Sequence, residues 1–343
     1  MCSMRQEVIE LLNQEDRETA ASERFVKIAL EARHCLESPD LQQKSRFYLP
    51  PDLMFNGECS PNYDLFSECL RSMFSSARNA LHSSERNENF SGLAVSGMRG
   101  TGKSVLLQTL AVLGGLLLPN AQTVYVNAQS LPTSRCLLEY LQSSLDAIGV
   151  VEGNDEDDGN VDMSSVIAQA SRRECALFLM IDELPELYTK DYEADWRDLC
   201  SFLTSTGPSF AFVSGSSSAL PAVVRNRSEA EITGADKKYL AEFPSLNDNK
   251  LQVRPMHPLH TLSHYQTYFK DPRRGSIGDL QNLPTVNSSQ ASEEDLFTRM
   301  HLLTGGNLRM IRQYLRAPES FFSSSAMEVG LLELPPELAY VHR

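Results

Sequence analysis

Eight consecutive residues, Gly97-Met98-Arg99-Gly100-Thr101-Gly102-Lys103-Ser104, meet the spacing G-x4-G-K-S in full. Residues of these types in this order suit one chemistry, the holding of a polyphosphate. Glycines let successive backbone N–H groups turn inward around phosphate oxygens without side-chain obstruction. A helix starting at the end of such a loop presents its positive end to the same anion. Lys103 would supply a flexible cation for the outer phosphates, and the Ser104 hydroxyl an oxygen ligand for magnesium. The phosphate-binding candidates are therefore Gly97, Met98, Arg99, Gly100, Thr101, Gly102, Lys103 and Ser104. Arg99 and Thr101 occupy variable positions, where simple solvation of the side chain is expected.

A second group of candidates ends the apolar run Ala176-Leu177-Phe178-Leu179-Met180-Ile181, which is followed by Asp182-Glu183. Carboxylates at the exit of a buried strand must face a cleft or bear the cost of desolvation. Beside a phosphate loop, Asp182 would hold Mg2+, directly or through water. Glu183 would polarise an attacking water as general base. A nucleotide kinase needs no such base and a small GTPase orients its water differently, so the pair points to ATP hydrolysis. Glu186, after Pro185, reads as an exposed helix charge.

These residues need elements to position them. Leu93–Val95 reads as a short buried strand entering the glycine-rich turn, and Ser104–Leu118 as the helix that leaves it. Strands are expected at Thr123–Asn127, Ala176–Ile181, Phe210–Val213 and Leu251–Arg254. Helices are expected at Leu137–Ile148, Ser164–Arg173 and Trp196–Leu203. The continuous apolar run 176–181 is what a central parallel strand requires. Strands alternating with helices imply a doubly wound α/β sheet. Residues 1–36 and 62–82 carry apolar residues at helical spacing. From Leu262 the chain turns helical again, with segments Ser292–Leu303 and Asn307–Arg316 separated by Thr304-Gly305-Gly306. Ser292 with Asp295 has the form of a capping box. The expected organisation is an N-terminal helical segment (1–50), a P-loop ATPase core (51–256), a helical lid (257–318) and a C-terminal tail (319–343).

The charge balance narrows the partners. The 343 residues carry a formal charge of −14, with 41% hydrophobic and 22% charged residues. That acidity gives no support to nucleic acid or anionic membrane binding through bulk charge. The basic cluster Lys270, Arg273 and Arg274 reads as a solvated loop. Residues 152–162 hold six carboxylates and read as an exposed loop. Seven scattered cysteines lack C-x2-C spacing, which suits reduced thiols. With an acidic N-terminus and no uninterrupted apolar span, no signal peptide, transmembrane segment or membrane partner is expected, and the location is read as cytoplasmic or nuclear.

Taken in order along the chain, the phosphate loop, Ile181-Asp182-Glu183, Phe212-Val213-Ser214-Gly215-Ser216 and Thr304-Gly305-Gly306-Asn307-Leu308-Arg309 resemble the archaeal-type, origin-recognition-like ATPase branch of AAA+ and STAND NTPases. The likeness covers roughly residues 50–317 and implies a P-loop NTPase (ASCE/AAA+-like) parallel sheet with helices on both faces, followed by a small helical lid. The first two stretches correspond to its Walker A and Walker B motifs. By resemblance, Ser214 or Ser216 would sense the γ-phosphate, with Ser216 favoured by the Gly-Ser pattern. Arg309 would reach the γ-phosphate from the lid, although Leu308 stands where relatives often have proline. Arg225 and Arg227 are candidates for an arginine finger toward a neighbouring subunit. Lys103, Glu183, Ser216 and Arg309 form the catalytic set. The function expected is an ATP-binding and ATP-hydrolysing molecular switch, acting through self-association or a protein partner. The alternatives are a nucleic-acid-processing initiator- or loader-like ATPase, or a non-hydrolysing ATP-binding scaffold.

Overall fold

The computed structural model describes residues 2–14, 18–37, 60–82, 91–130, 175–185, 209–215, 251–270 and 292–316. Five strands are present: β1 (Ser91–Ser96), β2 (Ala121–Asn127), β3 (Ala176–Asp182), β4 (Ser209–Gly215) and β5 (Leu251–Pro255). Seven α-helices accompany them among the described residues: α1 (Cys2–Leu12), α2 (Glu18–Glu37), α3 (Tyr63–His82), α4 (Lys103–Leu117), α5 (Leu262–Tyr268), α6 (Glu293–Thr304) and α7 (Leu308–Arg316). The helices expected at 137–148, 164–173 and 196–203 lie outside the described residues, as does the acidic stretch 152–162. The chain divides into two compact units. The first comprises Met1–Leu49, Leu65–Ser96 and Lys103–Pro255; the second comprises Pro50–Asp64, Gly97–Gly102 and Met256–Arg343.

The first unit is built on one sheet in the order β2-β3-β4-β1-β5, and every pairing is parallel. All seven residues of β3 are buried, as its unbroken apolar sequence requires of a strand paired on both sides and covered on both faces. At the sheet edge, β2 buries Ala121, Val124 and Val126 while its other residues are partly exposed. Helix α4 buries Leu106, Leu107, Leu110, Leu113 and Leu117, a stripe at helical period. Helix α3 does the same with Leu65, Phe66, Cys69, Leu70, Met73 and Phe74. Its Phe74 stacks on Phe25 of α2, ring centroids 5.1 Å apart.

The single helical stretch expected over residues 1–36 is two helices. Helix α1 stops at Leu12, Asn13 closes the last turn onto Ile9 O at 3.2 Å, and α2 starts at Glu18. The interval Asn13-Gln14-Glu15-Asp16 offers no apolar side chain to a core, and asparagine favours turns over helix interiors. Basic side chains of α3 meet the freed carbonyls. Arg78 donates to Gln14 O, and His82 Nε2 lies 2.7 Å from Leu12 O.

The second unit packs α5, α6 and α7 around Leu259, Tyr265, Tyr268, Leu296, Met300, Leu308, Ile311 and Tyr314. Thr261 caps α5. The expected capping box of α6 is present, Ser292 Oγ accepting Asp295 N–H at 3.2 Å while Asp295 Oδ2 accepts Ser292 N–H at 3.2 Å. Gly305 ends α6 in the left-handed conformation, at φ 56°. At Gly306, φ 72°, any Cβ would strike the Leu259 carbonyl, and that close approach lets Leu259 N–H donate to Gly306 O at 2.9 Å.

Candidate functional site

In the first unit the candidates gather at the C-terminal ends of the strands. Lys103 opens α4 and is 5% exposed; Ser104 follows it, half-buried. Asp182 ends β3 and is 1% exposed. A buried carboxylate must be satisfied by hydrogen bonds, and both oxygens of Asp182 are. Ser214 Oγ donates to Oδ1, and Tyr125 Oη donates to Oδ2 at 3.0 Å. Tyr125 is held in turn by Gln108 Nε2 at 3.2 Å. Gln108 lies on α4, so this chain of bonds ties the helix that begins at Lys103 to the carboxylate at the end of β3. Ser214 also accepts Glu183 N–H at 3.1 Å. One buried hydroxyl therefore fixes the side chain of Asp182 and the backbone of Glu183.

Glu183 has φ 55°, the one non-glycine positive φ among the described residues. That region costs an L-residue roughly 1–2 kcal/mol and persists only where its surroundings hold it. Such strain clusters at functional positions. Here it turns the chain sharply at the strand exit, with the Ser214 bond holding the turned peptide.

In the second unit the loop Gly97–Gly102 lies against the Gly-Gly-Asn-Leu-Arg segment. A Cβ at Gly97 would lie 2.8 Å from Met256 O. Gly100, at φ 87°, has a sharper need: a Cβ there would collide with Asn307 Oδ1 and come within 2.8 Å of Arg309 Cβ. Asn307 Nδ2 donates to Arg99 O. Arg99 is exposed, as expected of a variable position, but Thr101 is not. Thr101 is fully buried and donates from Oγ1 to Met98 O at 2.9 Å. The expectation of a solvated Thr101 is thus corrected: its hydroxyl satisfies a carbonyl inside the turn instead of facing water.

The sheet order places β4, with Ser214 next to its last residue, between β1, which leads into the glycine-rich loop, and β3, which ends at Asp182. This order, with the glycine-rich loop following β1, is a P-loop NTPase fold of the ASCE/AAA+-like kind. No family model matches the sequence, and no curated protein matches it. Solved structures similar to the chain include Drosophila ORC bound to DNA, at 15% identity and TM-score 0.43, over 82% of this chain and 59% of that one. Cdc6p from Pyrobaculum aerophilum is similar at 15% identity and TM-score 0.42, over 79% of this chain and 63% of that one. AMPPCP-bound DnaA from Aquifex aeolicus is similar at 13% identity and TM-score 0.38, over 83% and 72%. The chain thus spans about three fifths of the length of the first two.

Among the sequence candidates, Lys103, Ser104, Asp182, Glu183 and Ser214 lie within the first unit, and Gly97 to Gly102 and Arg309 within the second. Ser216, Arg225 and Arg227 lie outside the described residues, as do Glu186, Arg273 and Arg274. The sequence gives Tyr125 and Gln108 no role, and it places Asn307 in the Thr304–Arg309 motif without assigning it one. Tyr125 shares its strand with Gln122, Thr123 and Asn127, so no local pattern marks it.

Ser214→Ala should test the bridge. It leaves Asp182 Oδ1 and the Glu183 N–H without their buried partner. A hydrogen bond to a charged group contributes about 1.5–3 kcal/mol, so unfolding in denaturant should show a stability loss of that order. A loss below about 0.5 kcal/mol would mean that water replaces the hydroxyl, or that the bridge contributes nothing.

Proposed function

We propose that the chain binds ATP at Gly97–Ser104 and hydrolyses it, and that the nucleotide state sets the conformation of the helical unit. The observation that carries the reading is the buried Asp182, held on both oxygens, with the strained Glu183 beside it. Nothing in the packing of a strand end needs two acidic residues kept in that arrangement.

The loop suits a phosphate chain. Gly97 and Gly100 occupy positions where a Cβ would meet backbone or side-chain atoms, so the loop takes a course that larger residues there would block. Ser104 and Asp182 would offer hard oxygen ligands of the kind Mg2+ takes, and the bound ion would neutralise charge on the phosphate oxygens. Lys103 would hold the outer phosphates as a point charge. Glu183 would accept the proton of water as its oxygen attacks the γ-phosphorus, the β–γ bridging oxygen leaving with ADP. The Ser214 hydroxyl is already engaged by Asp182 and Glu183, which supports Ser216 as the γ-phosphate sensor. Arg309, with its Cβ against Gly100, is a sensor for the same phosphate.

Arg309→Ala tests the switch. A guanidinium directed at the γ-phosphate discriminates ATP from ADP and offsets charge in the transition state. Its loss should weaken ATP more than ADP and slow turnover at saturating ATP. Paired titrations with ATP and ADP are the measurement. Equal weakening of both would make Arg309 a structural residue and remove the moving part from the proposal.

A further inference from the structure

We propose that the Asn307 carboxamide is a positioning residue that clasps the phosphate loop to the first turn of α7, so that an anion ordering the loop is felt at that helix. The clasp itself stands on the geometry, while its response to ATP rests on the function proposed above.

Asn307 is 6% exposed and both ends of its side chain are used. Oδ1 accepts Arg309 N–H at 3.0 Å and Met310 N–H at 3.3 Å, which caps α7. Nδ2 donates to the Arg99 carbonyl in the phosphate loop. The backbone is engaged as well, Asn307 N–H donating to Thr304 O at 3.0 Å and Ile311 N–H donating to Asn307 O at 2.9 Å. The next loop residue, Gly100, has no room for a Cβ because Asn307 Oδ1 occupies that space.

Capping alone does not require asparagine. Aspartate and serine cap helices about as well. Aspartate has the right length but no N–H to give, and its charge would face the Arg99 carbonyl. Serine caps but is one atom group too short to extend to the loop. Of these three capping side chains only the asparagine amide both accepts from the helix and is long enough to donate to the loop. The residue type is thus explained by the double duty and not by the cap. A loop carbonyl held by the first turn of a helix cannot turn without disturbing that helix. The exchange of order between loop and helix is then reciprocal, as any coupling between two sites must be.

The test is amide hydrogen exchange on the full chain, wild type against Asn307→Asp and Asn307→Ser, read over residues 97–102 and over the first turn of α7. Without nucleotide, losing one hydrogen bond should speed loop exchange roughly 2- to 12-fold in both variants. The α7 turn, still capped, should exchange at the wild-type rate. With Mg-ATP, the wild type should gain protection in both segments, and the variants in the loop alone. Loop exchange unchanged in both variants would overturn the clasp. So would equal acceleration of loop and helix, since that marks loss of a cap. An α7 response to Mg-ATP persisting in the variants would overturn the coupling. If Mg-ATP protects neither segment of the wild type, the ATPase reading fails, and the nucleotide-free comparison still decides the clasp.

Discussion

Glu183→Gln is expected to bind ATP as tightly as the wild type and to hydrolyse it about 10²–10⁴-fold more slowly, the usual contribution of a general base. The replacement keeps size and shape. It also keeps the positive φ of 55°, which strains a glutamine as much as a glutamate. The Glu183 N–H that donates to Ser214 is backbone and survives the change. What is lost is the ability to take a proton. Multiple-turnover phosphate release at saturating ATP, beside a binding titration, separates the two effects. Wild-type turnover in the variant would assign Glu183 to the turn geometry alone and leave the general base elsewhere.

Lys103→Ala should weaken ATP binding by roughly 10- to 100-fold, since charge-assisted hydrogen bonds contribute about 1.5–3 kcal/mol each. Lys103 is 5% exposed at the first position of α4. Alanine has the best intrinsic helix propensity, so the helix itself should survive the change. Calorimetric titration reads the affinity, and denaturant unfolding of the same variant checks that the fold persists. Unchanged affinity in a folded variant would detach the loop from nucleotide binding.

The residues that sequence made visible share one property: their chemistry is contiguous. The phosphate loop needs eight neighbours in order, the acidic pair ends its own strand, and the Ser292–Asp295 capping box spans one helical turn. The apolar run 176–181 likewise announces a strand buried on both faces. What sequence left hidden depends on packing between distant segments. Tyr125 meets Asp182 because β2 pairs with β3, with Asn127 opposite Asp182 in the register. No local pattern encodes that pairing, and Gln108 joins only once α4 packs onto the sheet. Asn307 could be read as a helix start, but its bond to Arg99 crosses 208 positions. Thr101 was misread because a variable motif position says nothing about the inside of the turn. The break between α1 and α2 fell within a polar interval that helical periodicity bridges too easily.

A single-turnover assay tests the central claim most directly. The full chain, in excess over ATP and with magnesium, is quenched over time and the nucleotide separated. The account predicts that the bound ATP is converted to one ADP and one phosphate per molecule, and that Glu183→Gln returns it intact over the same interval. ATP recovered unchanged from the wild type, or consumed as fast by Glu183→Gln, would contradict it.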